Sequence, residues 1–312
     1  MKRRSLYRQR GVAVVTALLL TTLAVTIVAS LFWQQQVQVR SMENQRLHLQ
    51  TRWILRGALD WARLVLRQDW RDNPNWTTLD AVWNTPLMET RLDQYIERDR
   101  MEGETFDATI SGRITDASSR YNLANLSDAN QLTFYRTLLR NLQIDESLAQ
   151  RTFDFMQRAA AGGQPAQQGG AQRARPLPLT AVDDLLAVEG YTLQVVDKLR
   201  PFVIVLPESA TKINVNTAPA EILGALMGKG MGEGAALAAK RKQLSYWRDE
   251  ANFKADAQQV AGGGQPLQIP VAVNSEFFLA QSRIKLDRAA LNAEALIRRK
   301  ANEVTLVWIR QN

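Results

Sequence analysis

Arg8-Gln9-Arg10-Gly11-Val12-Ala13-Val14-Val15-Thr16 opens a run without charge from Val12 to Trp33, and the next ionisable group is Arg40. As a helix those 22 residues span roughly 33 Å, close to the ~30 Å hydrocarbon core of a bilayer. Lys2, Arg3, Arg4, Arg8 and Arg10 precede the run, and no acid appears before Glu43. This asymmetry predicts a single-pass helix with its N-terminus in the cytoplasm and the rest of the chain across the membrane. A cleaved secretory signal fits less well. Its apolar core is usually about 7–15 residues, Val28-Ala29-Ser30 is a poor small-residue cleavage site, and no turn signal follows. A plain signal anchor is the more serious rival.

The same residues account for most of the chain's basicity. The net charge of +8 comes from 39 Lys plus Arg against 31 Asp plus Glu; without the five leader cations, 34 face 31, a net of +3. No general nucleic-acid-binding surface is implied. There is no Cys and a single His, His48, which excludes disulfides, thiolate nucleophiles, Cys-based zinc sites, His-dependent triads and multi-His metal centres. At 46% apolar and 22% charged over 312 residues, the chain has material for one large or two modest domains.

A short basic leader ending in Gly11 directly before the apolar helix resembles the processing site of type IV pilins and type II secretion pseudopilins. The resemblance implies that a prepilin peptidase cuts between Gly11 and Val12 on the cytoplasmic side and methylates the Val12 amine. A residue without a Cβ suits a site where backbone lies close against an enzyme. Most members of these families carry Glu at the fifth mature position, where it pairs with the N-terminal amine of the subunit above; here that position is Thr16. A carboxylate within a bilayer is expensive and kept for a function, so its replacement suggests a subunit with nothing above it. Equally, Thr16 reads as a tolerated polar residue of a transmembrane helix.

Gln34 to Trp70 continues without Pro and with one Gly, Gly57. Leu47, Trp53, Ile54, Trp61, Leu64 and Val65 predict its apolar stripe. Helix from Val12 to about Arg67 would be roughly 84 Å long, with a membrane half and a second half packed on a head; His48 falls on its polar part. After Asn73-Pro74-Asn75, the alternation Phe106, Ala108, Ile110, Gly112, Ile114 predicts a half-buried strand, as do Phe277 to Leu286 and Val304 to Ile309. These segments predict an antiparallel sheet covering the stalk helix. Between them, Asp116 to Pro270 turns mainly helical, interrupted by Gly/Gln/Ala/Pro-rich stretches at Ala159–Pro178 and Ala261–Pro270. The first reads as a flexible loop.

The most specific string is Ile213-Asn214-Val215-Asn216-Thr217-Ala218-Pro219. Asn216 or Thr217 is predicted to N-cap the next helix, with Pro219 and Glu221 in its first turn and Ile213 and Val215 turned inward. Tyr121-Asn122-Leu123-Ala124-Asn125-Leu126 is a weaker echo. The string resembles the I-N-x-N-T-A element of helix-hairpin-helix modules, and the same string occurs in the minor pseudopilin K family of type II secretion, also called general secretion pathway protein K. Leu177-Pro178-Leu179, Val182-Asp183-Asp184-Leu185-Leu186, Glu189-Gly190-Tyr191 and Leu206-Pro207 follow that family's order.

The resemblance implies an α+β, pilin-like fold: a long N-terminal transmembrane and stalk helix packed on an antiparallel sheet, with a large inserted α-helical domain holding the helix-hairpin-helix-like element. Its parts are a cleaved leader 1–11, transmembrane helix 12–33, periplasmic stalk 34–70, a head from 71–115 and 271–312, and the insertion 116–270 with 159–178 flexible. It implies a non-enzymatic minor pseudopilin at the periplasmic pseudopilus tip that initiates or caps assembly and supports secretion across the outer membrane. The implied partners are the I- and J-type minor pseudopilins, the major pseudopilin, the prepilin peptidase and the inner-membrane assembly platform.

The rival is a membrane-anchored helix-hairpin-helix DNA-binding or uptake protein. Gly230-Met231-Gly232 followed by Lys240-Arg241-Lys242 could serve as a phosphate hairpin. Residues 116–270, however, hold 16 basic and 15 acidic residues, Glu233 sits beside the hairpin, and DNA binding needs a basic face. No nucleic acid is expected. The resemblance also allows calcium. No D-x-D-x-D-G string is present, so no ligands are assigned; Asp183-Asp184 and Asp249-Glu250 read as solvated helix charges.

Overall fold

The structure is a computed structural model, and it describes residues 10–92, 108–160, 176–263 and 269–311. The chain divides into two compact units, one of Met1–Arg56, Arg91–Thr109 and Ile284–Leu291, the other of Gly57–Thr90, Ile110–Arg283 and Asn292–Asn312.

Helix α1 runs unbroken over Arg10–Asp72, 63 residues, so the segments expected to cross the membrane and to form the stalk are one element. Val12 to Trp33 is exposed along its whole length, as an apolar helix needing lipid or partner helices would be. In the first unit, Thr51 and Leu55 are the buried positions of α1; in the second they are Leu59, Ala62, Leu66 and Asp69. The 4-3-4-3 spacing from Leu55 to Asp69 is one helical face. The stripe expected from Trp53, Trp61 and Leu64 is corrected by this pattern: they are exposed at 68%, 50% and 58%. Of the other positions in that stripe, Leu47, Ile54 and Val65 flank the buried face. Small Ala62 and slender Leu66 allow close packing there, which two indoles would prevent.

The main sheet has the order β1-β2-β7-β8-β9, from Leu87–Arg91, Ala108–Asp116, Phe277–Leu286, Ala289–Lys300 and Glu303–Gln311. Strands β2, β7 and β9 overlay the three alternating segments of the sequence; Phe106 lies outside the described residues. Strand β8 is not among those segments. Its Ala-Glu-Ala-Leu-Ile-Arg-Arg stretch favours helix locally, and pairing with β9 overrides that preference. Asp287 and Ala301 (φ 50° and 51°) begin the two-residue turns either side of β8, the left-handed geometry that short hairpins require. In the second unit, Arg63 Nε donates to the Val304 carbonyl at 3.0 Å, and Arg299 of β8 reaches the Leu66 carbonyl and Asp69.

Residues 117–270 hold helices α2 (Leu132–Asn141), α3 (Ser147–Ala160), α4 (Leu193–Leu199), α5 (Ala220–Leu226), α6 (Met231–Leu244) and α7 (Glu250–Val260). Their core, including Tyr121, Tyr135, Leu138, Val196, Ile222, Leu223, Leu237, Trp247 and Phe253, is drawn from positions between Tyr121 and Val271. Two short parallel ladders adjoin this core. Strand β3 (Tyr121–Asn122) pairs with β4 (Val203–Ile204), and β5 (Ile213–Asn214) with β6 (Val271–Ala272). A second cluster, Ala117, Ile204, Leu206, Phe277, Leu279 and Leu296, joins the insertion to the sheet. Of the stretch 159–178, Ala159 and Ala160 end α3, and residues 161–175 lie outside the described residues. Of Ala261–Pro270, residues 264–268 lie outside them too.

Candidate functional site

Two places carry the residues that the sequence singles out. The first is the start of α1. Gly11 and Val12 lie in its first turn, and the Val12 side chain is exposed. The Thr16 hydroxyl donates back to the Val12 and Ala13 carbonyls, both at 3.0 Å. Thr21, Thr22 and Thr26 bond their own helix in the same way. This is how an isolated hydroxyl is satisfied in an apolar setting. Thr16 is thus a neutral, locally satisfied group at a position where a carboxylate would present a charge.

The second place is built by the Ile213–Pro219 string. Ile213 and Val215 are buried in the insertion core, and β5 pairing with β6 fixes the backbone between them. Asn216 and Thr217 do not cap the following helix. Its N-cap residue is Pro219, with no side-chain cap bond. The Asn216 side chain instead holds the Trp247 backbone at both ends, accepting from its N–H at 2.8 Å and donating to its carbonyl at 3.0 Å. Arg241 Nη1 donates to the Val215 and Ala218 carbonyls at 2.8 and 2.6 Å, so a cation from α6 satisfies two carbonyls of the turn.

Asn214 and Thr217 face the other way, towards Asp116 at the end of β2. The fully buried Asp116 accepts from Asn214 Nδ2 at 3.0 Å, Thr217 Oγ1 at 2.5 Å, Ser275 Oγ at 2.5 Å and the Ser118 N–H at 2.8 Å. Burial raises its pKa, opposed by these donors. Asn214 also donates to the Thr77 carbonyl and to Ser275 Oγ. Thr77 Oγ1 accepts from Arg299 Nη2 at 2.7 Å, and Arg299 Nη1 meets Asp69 at 2.6 Å. Burial raises the Asp69 pKa, against the pull of Arg299. The Arg299 guanidinium also lies 4.6 Å from the Phe278 ring centre, within cation–π range. One continuous buried network therefore ties α1, the Thr77 loop, both ends of the insertion and β8 together. Asp116, Ser275 and Arg299 carry no signal in the sequence because their partners are remote: Asp116 and Asn214 are 98 positions apart.

The Tyr121–Leu126 echo repeats this construction. Asn122 Oδ1 accepts from the Ala124 and Leu206 N–H groups, its amide donates to the Glu208 carbonyl, and Asn125 holds the Thr211 backbone at both ends. In both, a two-residue parallel ladder is followed by asparagines that fasten a turn to a distant segment. The joints carry no nucleophile and no general base poised on an open cavity; they are fastenings.

The helix hairpin is α5–α6. Its turn is Met227–Gly230, with Gly228 at φ 65°, so Met231 and Gly232 belong to α6 and the expected Gly-Met-Gly hairpin is displaced by two residues. Gly224 and Gly234 let the helices touch: a Cβ on Gly224 would come within 2.5 Å of the Gly230 carbonyl, and one on Gly234 would strike the Ala220 carbonyl. Of the three basic residues beyond, Arg241 is turned inward and Lys240 pairs with Asp256 at 2.6 Å, leaving Lys242 exposed. That is not a phosphate-binding face. Asp183 pairs with Arg200, Asp184 accepts from Thr180 and Ala181, Asp249 caps α7 and Glu250 pairs with Lys212. Among the described residues no three His, Asp or Glu side chains converge on a metal position.

Residues 119–208 and 213–274 each match a family profile described as type II secretion system (T2SS), protein K. The chain is 27% identical to a type II secretion system protein K of Pseudomonas aeruginosa, over 96% of this chain and 92% of that one. It is 25% identical to that of Pectobacterium carotovorum, covering 96% and 95%, and 23% identical to that of Klebsiella pneumoniae, covering 97% of each. In fold it is similar to a chain of the GspK-GspI-GspJ complex from the enterotoxigenic Escherichia coli type 2 secretion system, with a TM-score of 0.65, 19% identity, and coverage of 87% of this chain and 99% of that one.

Proposed function

The chain belongs to the type II secretion system protein K family, a family of minor pseudopilins, and we propose that it works at the tip of the pseudopilus, where it starts or caps assembly of the filament. What carries the tip position is Thr16. A carboxylate there would reach for the amine of a subunit above; a hydroxyl satisfied by Val12 and Ala13 asks for none. The Val12 amine, once released by cleavage after Gly11 and methylated, is free to receive the carboxylate of the subunit below.

In this reading the basic leader sets orientation and is removed by the prepilin peptidase. Residues 12–33 span the inner membrane as a single pass, residues 34–70 form the periplasmic stalk, and the head with its insertion lies in the periplasm. The exposed apolar length of α1 supports this, since it is uncovered among the described residues and needs lipid first and neighbouring helices later. The partners are the I- and J-type minor pseudopilins, in keeping with the solved complex of similar fold, which unites GspK with GspI and GspJ. The major pseudopilin follows below, and the inner-membrane assembly platform lies at the base. The work is done by packing and placement, without bond chemistry, in support of protein secretion across the outer membrane. Single-molecule labelling of assembled pseudopili tests the position. One copy at one end is the expected result, and many copies along the shaft would overturn it.

A further inference from the structure

On the sheet face where Phe277, Leu279 and Leu296 pack against the insertion, a cleft of about 350 Å³ opens. Its floor is a ladder of polar side chains. Arg113 Nε donates to Gln281 Oε1 at 2.7 Å, Gln281 Nε2 donates to Glu294 at 3.0 Å, and Glu294 stands opposite Arg310 in the β8–β9 register. Arg310 forms no close ion pair with that carboxylate, although Asp183 and Asp184 attract it at longer range. It lies 4.2 Å from the Trp308 ring centre and donates to the Thr180 carbonyl at 2.7 Å. The opposite wall holds Arg200, occupied by Asp183 and Asp197, and Arg120. The polar contact of the half-buried Arg120 guanidinium is the Arg200 carbonyl at 3.5 Å, and burial together with the repulsion of Arg113 lowers its pKa against the attraction of Glu294.

Among the described residues, Arg113, Arg120 and Arg310 have no carboxylate at ion-pair distance, while every acid of the cleft is already bonded. The four arginines and three acids leave a surplus of one positive charge. A half-buried guanidinium without a directly bonded anion is costly, and its planar fork is built for a carboxylate. Pro201, Val203 and Trp308 add apolar wall for whatever carries that group. We propose that this cleft is a carboxylate-binding site, in which one anionic group enters between Arg120 and Arg310. The assignment is independent of the tip position.

The test is calorimetric titration of the full-length protein in detergent with a blocked tetrapeptide containing one glutamate, with its glutamine counterpart, and with acetate, all at constant ionic strength in sodium chloride. Saturable binding of the glutamate peptide or acetate, absent for the glutamine peptide, is expected. Tighter binding of the peptide than of acetate would show that the carboxylate arrives on a polypeptide; equal binding would point to a small organic acid. Arg120→Gln should weaken binding about tenfold or more, the scale of a lost charge-assisted bond. Arg310→Gln, on the edge strand, repeats the test where folding is least at risk. Equal binding of both peptides, binding undiminished in both variants, or no binding at all would overturn the assignment.

Discussion

Asn214 donates its side-chain amide to Asp116 at 3.0 Å, joining the heart of the Ile213–Pro219 string to the residue where the chain leaves the sheet for the insertion. The string is thus a clasp for the neck of the insertion, closed by Thr217 and Ser275 on the same carboxylate. Replacing Asp116 by Ala would take the acceptor from four buried donors, and a buried donor left unsatisfied costs about 1–3 kcal/mol. We expect a loss of at least about 2 kcal/mol in denaturant unfolding, with faster proteolysis of the insertion.

The same carboxylate sets a sign for pH dependence. Burial raises its folded pKa above the ordinary 3.8. A group raised on folding contributes its stability fully below the unfolded value and loses it as pH rises through the folded value. The stability of the wild type relative to Asp116→Asn should therefore increase as pH falls from neutrality towards about 4. Asp183, Asp184 and Asp256 are shifted the opposite way, so the comparison is made between the two proteins at each pH. A difference that does not change with pH, or shrinks on acidification, contradicts the assignment.

Arg299 and Asp69 form an ion pair at 2.6 Å with side chains 0% and 6% exposed. Removing one member strands the other, at a cost of about 3–5 kcal/mol. Arg299→Met should show that loss in chemical denaturation, and adding Asp69→Leu should recover part of it, because the unpaired charge is then gone.

Two glycines two positions apart in α6 should respond in opposite directions. A Cβ on Gly234 runs into the Ala220 carbonyl and approaches the Gly224 nitrogen, whereas one on Gly232 meets nothing within 4 Å. Gly234→Ala should therefore destabilise by about 1–3 kcal/mol. Gly232→Ala should stabilise α6 by about 0.5–1 kcal/mol. Melting temperatures of the two variants check both signs.

Composition and period made the membrane run, the long helix and strands β2, β7 and β9 legible, because each is a local pattern. Local signals failed where tertiary contacts override them. Trp53 and Trp61 looked like the packed stripe by hydrophobicity, yet the close approach at Leu55, Leu59 and Ala62 is decided by shape. Strand β8 was hidden behind helix-favouring residues. Asn216 and Thr217 had the chemistry of caps, and only the fold brings Trp247 and Asp116 to them. The string was visible as a motif; its purpose was not, since its partners come from segments tens of residues away.

Maturation as a pseudopilin subunit leaves a mark at the new N-terminus, which mass analysis of the protein isolated from membranes reads. The expected product is a chain beginning at Val12 and carrying one N-methyl group, with Gly11→Leu accumulating as the uncut form. An unmodified chain that retains Met1 to Gly11, or one cut near Ser30, would contradict it.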